Sequence, residues 1–229
     1  MYYRVLYPRG YDKESKKKKF PLVLLLHDRD AAIRNKNHDN VTQLLSSVTK
    51  AFSPASVHDS FPAIVVVPQC EIDDPWAAVA DTFGADFPEK PEQTYSGELV
   101  QRMVKYYLKH YPVDADRVYV VGEGLMGGSG ALDLAVRNPK TFAAVVSIGG
   151  AVNPDRVKAL KKTPVRMYAA SESTEVPVSL VRDVYIGLMA SGSKVAEPVV
   201  EYLGVSDKDC VKNALGSGDF MQWIFSKSR

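Results

Sequence analysis

Only two of the 229 residues are cysteine, Cys70 and Cys210, and neither has a second Cys or a His at metal-ligand spacing. That excludes a zinc cluster of the Cys/His kind, and the two thiols could bridge only in an oxidising compartment. No run approaches the roughly 18 consecutive apolar residues of a membrane span. Charge of one sign is also lacking: 29 Lys and Arg against 27 Asp and Glu leave a formal net charge of +2, too little for a nucleic-acid partner. The one dense basic run, Lys16 to Lys19, reads as a solvated loop. Histidine is scarce, with His27, His38, His58 and His110 the only four and none after position 110. A signal peptide is missing too, because Met1 to Pro8 alternates like a strand. A cytoplasmic chain is therefore expected, although a secreted one trimmed of its leader would begin in the same way.

What is present suits a packed interior. Hydrophobic residues make up 45% and charged residues 24% of the chain, and the length suits one domain over residues 1–229. Short, β-branched apolar runs recur at 21–26, 63–67, 118–121, 143–148, 165–169 and 199–202, the pattern of strands buried on both faces. Helical periodicity lies between them, at 97–110, 128–137, 179–190 and 219–227. Tyr111-Pro112 and Asn138-Pro139 end two of these helices, since proline disfavours the α conformation in the residue before it. The alternation predicts an α/β domain, a mainly parallel central sheet with helices on both faces. The longest aperiodic stretch, Cys70 to Thr94, is expected to be functional or mobile.

The segment Asp116 to Gly122 followed by Met126-Gly127-Gly128 resembles the phospholipase/carboxylesterase and feruloyl-esterase-like branch of the α/β-hydrolases, where a strand runs through a tight turn into a helix. Tyr7 to Asp12, Pro21 to His27, Pro68-Gln69-Cys70 with Trp76, Tyr111 to Asp114, Val176-Pro177-Val178 and Glu201 to Val205 resemble other family segments in the same order. The resemblance implies the α/β-hydrolase fold across nearly the whole chain. It also implies a serine esterase, with Asp28 and Met126 at the oxyanion loop and His27, Gln69 and Trp76 about the former acyl pocket.

The chemistry does not follow. A nucleophile elbow needs Gly-x-Ser-x-Gly. Counting back from Met126-Gly127-Gly128 puts Leu125 in the nucleophile place, and counting forward from the strand puts Gly124 there. Neither can attack a carbonyl. Ser173 takes the place of the acid, flanked by Glu172 and Glu175, and Asp207 or Ser206 takes that of the base. The family order of Ser, acid and then a late His cannot be built when no His follows His110. The usual His-Gly of the oxyanion loop is His27-Asp28, and a carboxylate there opposes a developing negative charge.

Several residues invite sharper roles that simpler ones match. His27 could act as a displaced base at the carboxyl end of a strand, but ordering its loop suffices. Ser129, one helical turn beyond Leu125, could be a substitute nucleophile, but packing or capping suffices. His58 and Asp59 read as solvent-facing in a polar loop, and His110 suits a helix end. Gly122-x-Gly124-x-x-Gly127 spells a dinucleotide fingerprint, yet it lies mid-chain with no acid in Val145 to Gly150; close helix packing accounts for the glycines. No cofactor or metal is called for.

The expectation is thus an esterase homologue without its triad, its old pocket closed by Leu125 or kept open for a small-molecule or protein ligand between Leu125, Asp28, Trp76 and Asp207. Two rivals stand beside it. One is a working ester hydrolase with relocated residues, such as Ser129 or Ser173 with His27 or a carboxylate. The other is a purely structural module attached to a catalytic domain, with the site filled.

Overall fold

The computed structural model describes residues 1–14, 18–34, 42–78 and 87–229. Lys16 and Lys17 of the basic run, His38, and residues 79–86 of the long aperiodic stretch lie outside the described residues.

Seven strands form one sheet in the order β1-β3-β2-β4-β5-β6-β7. They are β1 (Tyr2–Leu6), β2 (Phe20–Leu26), β3 (Ile64–Gln69), β4 (Val113–Glu123), β5 (Ala144–Ile148), β6 (Val165–Ala170) and β7 (Val200–Tyr202). β1 runs antiparallel to β3, and every other neighbouring pair is parallel. β2 and β3 are buried at every position, as the near-continuous apolar runs require of strands covered on both sides. Their alternate residues divide between two cores. Leu22, Leu24 and Leu26 face one cluster, and Val23 and Leu25 the other.

Helices α3 (Tyr95–His110), α4 (Gly124–Arg137) and α5 (Val178–Ala190) cover the first face. Helices α1 (Ser47–Phe52), α6 (Asp207–Gly216) and α7 (Phe220–Phe225) cover the second, and α2 (Ala55–Ser60) lies between α1 and β3 in sequence. α3 and α4 stop before Tyr111-Pro112 and Asn138-Pro139, as the prolines predict. Cys70 and Cys210 are free and buried in different clusters, so the sheet itself stands between the two thiols.

Two expectations are corrected. α4 begins at Gly124, four residues before its apolar period, because the glycine run leaves no side-chain pattern to read. His58 lies half-buried in α2 rather than in a loop, while Asp59 beside it is exposed and pairs with Arg9 at 3.4 Å.

α4 sits unusually close to the sheet. A Cβ on Gly128 would lie 2.8 Å from the backbone nitrogen of Gly150, and neither backbone can yield cheaply. Gly128→Ala should therefore lower stability by about 1–3 kcal/mol through overpacking, read as a fall in the urea midpoint. An unchanged midpoint would mean that α4 can slide away from β5.

Candidate functional site

The carboxyl ends of the parallel strands, where α/β folds place ligands, carry most of the polar residues singled out above. β4 passes into α4 with no intervening loop, and Gly124 makes the turn at φ 68°. This left-handed conformation is one that glycine adopts without penalty. Of the two candidate nucleophile places, Gly124 thus holds the turn, while Leu125 and Met126 are buried in the first turn of α4.

The space above Gly124 is taken. A Cβ built there would collide with the carboxyl group of Asp28, which follows β2. Asp28 Oδ1 accepts the Met126 N–H at 3.0 Å, and the Leu125 N–H is directed to the carboxyl of Glu175. The first N–H groups of a helix have no partner within it and carry the positive end of its dipole. In this chain two side-chain carboxyls satisfy them.

A third carboxyl does the same for a second helix. Glu123, 5% exposed at the end of β4, accepts N–H groups of Ser47 at 3.0 Å and Val48 at 3.2 Å, at the start of α1. Burial pushes Glu123 up to about 7, against those hydrogen bonds, and the nearby Asp28 charge adds to the rise. Burial likewise pushes Asp28 up to about 6, with Glu175 contributing. Glu175 is itself raised, by burial and then by Asp207.

These groups border a cavity of about 460 Å³. Its wall carries five acids, Asp28, Asp30, Glu123, Glu175 and Asp207, two lysines, Lys50 and Lys208, and no imidazole among the described residues. Leu45, Ile148 and Val211 supply apolar wall.

Asp28, Gly124, Glu175 and Asp207, named from the sequence, are brought together on this wall; Leu125, Met126, Ser173, Trp76, His27 and Gln69 are not. Asp207 opens α6 and accepts the Thr174 N–H at 3.1 Å. Ser173 accepts from the N–H groups of Glu175 at 3.2 Å and Val176 at 2.9 Å, a local cap. His27 is fully buried, its Nδ1–H donating to the Asp28 carbonyl at 2.7 Å while Nε2 faces the Cys70 N–H at 3.4 Å. Burial pulls it down to about 4, so the ring is neutral and orders its loop. Trp76 packs edge-on against His27 and donates its indole N–H to the His27 carbonyl at 2.9 Å. Gln69 donates to the Ala31 carbonyl at 2.9 Å. Ser129, fully buried, accepts the Ala151 N–H at 3.1 Å. The pocket residues inferred from the resemblance thus point into the core, because the loop after β2 turns them inward through hydrogen bonds to its own backbone.

Glu123, Asp30, Lys50 and Lys208 were not foreseen. A signal existed for Glu123 alone: an acid closing the apolar run Val118 to Val121 breaks the burial pattern and calls for a partner.

The Esterase family model matches residues 1–196. The chain belongs to that family. Among solved structures, a thermostable esterase is 25% identical with a TM-score of 0.83, and the match covers 99% of this chain and 59% of the other. This chain thus spans about three-fifths of that esterase's length. A ferulic acid esterase from Anaeromyces mucronatus matches at 15% identity and TM-score 0.64, covering 97% of this chain and 84% of its own. A phospholipase/carboxylesterase from Dyadobacter fermentans matches at 17% and 0.61, covering 98% and 94%. These likenesses give the α/β-hydrolase fold. Comparison with curated proteins gives no match. Among the described residues of this esterase-family chain, no helix is long and apolar enough to cross a membrane.

Proposed function

We propose that this member of the esterase family does not hydrolyse esters and instead binds a ligand in the cavity at the carboxyl ends of the sheet. The observation that carries the reading is the Asp28 carboxyl standing over Gly124, where an esterase needs a serine hydroxyl. Two further features support it. The Leu125 and Met126 N–H groups, which could stabilise an oxyanion, already meet carboxyls, and no imidazole lines the cavity among the described residues.

A fluorophosphonate probe and short-chain aryl esters test the reading. The expected result is no covalent labelling and no turnover above the uncatalysed rate. Stoichiometric labelling, or turnover abolished by a single substitution, would overturn it.

One observation favours a second reading, a hydrolase with relocated machinery. Ser47 and Glu123, a carboxyl raised to about 7, stand together on the cavity wall, joined by the Ser47 N–H at 3.0 Å; a base titrating near neutrality suits proton abstraction. That reading expects ester turnover that Ser47→Ala removes.

A further inference from the structure

We propose that the cavity takes a small organic cation bearing two or more ammonium groups. The inference rests on the reading of the cavity as a ligand site and names the chemistry of its occupant.

The first ground is an unbalanced buried charge. Asp133, the buried carboxylate of α4, shows how this chain normally treats such a group: Arg137 stands at 2.7 Å and Arg156 at 2.5 Å. Glu123 is equally buried, and together with Asp28 it has no Lys or Arg within ion-pair distance among the described residues. Among the described residues both meet neutral donors, the backbone N–H groups of Ser47, Val48, Arg29 and Met126. A buried carboxylate without a counter-charge is the unfavourable case. Both line the cavity, so a cation entering it would supply a counter-charge that the described residues do not.

The second ground is the sign and spread of the wall charge. Five acids face two lysines. Arg34 stands 3.8 Å from Asp30 and the Arg29 charge favours ionised Glu175, so the acids of the wall without a Lys or Arg partner among the described residues are Asp28, Glu123 and Asp207. Beside burial, the Asp28 charge helps to hold the proton on Glu123, Glu175 that on Asp28, and Asp207 that on Glu175.

The third ground is shape. Among the described residues no three acidic, His or Cys side chains converge as a single metal ion requires. The charge is instead distributed around about 460 Å³, inside the range of roughly 300–1,000 Å³ usual for small-molecule sites. Leu45, Ile148 and Val211 on the wall suit the methylenes between separated ammonium groups.

Calorimetric titration of the whole chain near neutral pH with spermidine and diaminobutane tests this, with butanediol as the uncharged match and magnesium chloride as the compact dication. Saturable binding of the amines is expected, with no heat from the diol. Asp30→Asn combined with Asp207→Asn, both at the rim, should weaken binding by about tenfold or more, and Glu123→Gln should do so wherever circular dichroism shows it folded. Glu98→Gln on α3, away from the cavity, should change nothing. Absence of saturation up to about 10 mM amine, equal binding of the diol, tighter binding of magnesium, or insensitivity to the rim pair would each overturn the proposal. The ester assay on the same preparation separates the two readings. Turnover with amine binding intact removes only the non-hydrolytic reading, and an inert chain that ignores amines removes only this one.

Discussion

Asp133→Ala is expected to lower folding stability by about 3–5 kcal/mol, the usual consequence of breaking a buried ion pair by deleting one partner. Asp133 lies on the core side of α4 and binds Arg137 through Oδ2 and Arg156 through Oδ1. Arg137 has other acceptors, the carbonyls of Pro91 at 2.8 Å and Glu92 at 3.3 Å. Arg156 sits in the 3-10 turn Pro154–Leu160 with a side chain only 12% exposed, and it would be left with its charge buried. Arg137→Ala should consequently cost less than Asp133→Ala, and Arg156→Ala combined with Asp133→Ala less than the sum of the two singles. Urea unfolding at neutral pH gives all three values; a loss below about 1 kcal/mol for Asp133→Ala would mean that Arg156 reaches water without difficulty.

The second large effect is a stability that falls as the solution becomes less acidic. Glu123 rises from an ordinary 4.5 to about 7 in the folded chain, and Asp28 from 3.8 to about 6. Between those limits the folded protein holds protons that the unfolded chain has released, so raising the pH through this interval favours unfolding. For either carboxyl the change is on the order of 3 kcal/mol, and the two overlap in part because the Asp28 charge raises Glu123. The urea midpoint should be highest near pH 4.5 to 5, decline to about pH 7 and then level off. Asp28→Asn, whose amide oxygen can still accept from Met126, should flatten the slope. A midpoint that climbs from pH 5 to pH 8 in the parent chain would contradict the burial of these groups. Occupation of the cavity by an amine would flatten the same slope.

The sheet was legible in the sequence because strands covered on both faces leave little choice of residue: 21–26 and 63–67 consist almost wholly of Val, Leu, Ile, Ala and Pro. α3 was equally plain, its apolar positions recurring with a helical period up to the Tyr111-Pro112 stop. Shorter helices escaped notice. α1 and α2 have six residues each, too few for a periodic pattern to emerge, although Ser46 capping the Thr49 N–H and Ser206 capping the Asp209 N–H are start signals of a familiar kind. The candidate site was half legible. Sequence order alone brought Asp28, Gly124 and Asp207 to one end of the sheet, because strand ends in a parallel sheet converge. Glu123 and Lys50 depend on α1 folding back beneath β4, a long-range placement that no local pattern encodes. Trp76 and Gln69 misled because a large or amide side chain after a strand suits a pocket wall and an inward anchor equally well.

The contact between Asp28 and any side chain at position 124 also bears on how a nucleophile could be introduced there. A lone serine arriving at 124 would require the Asp28 carboxyl to move from the Met126 N–H it now holds and would meet no imidazole on the cavity wall among the described residues. Positions 28 and 124 are therefore coupled, and a substitution at either one alters the hydrogen bond that holds the start of α4.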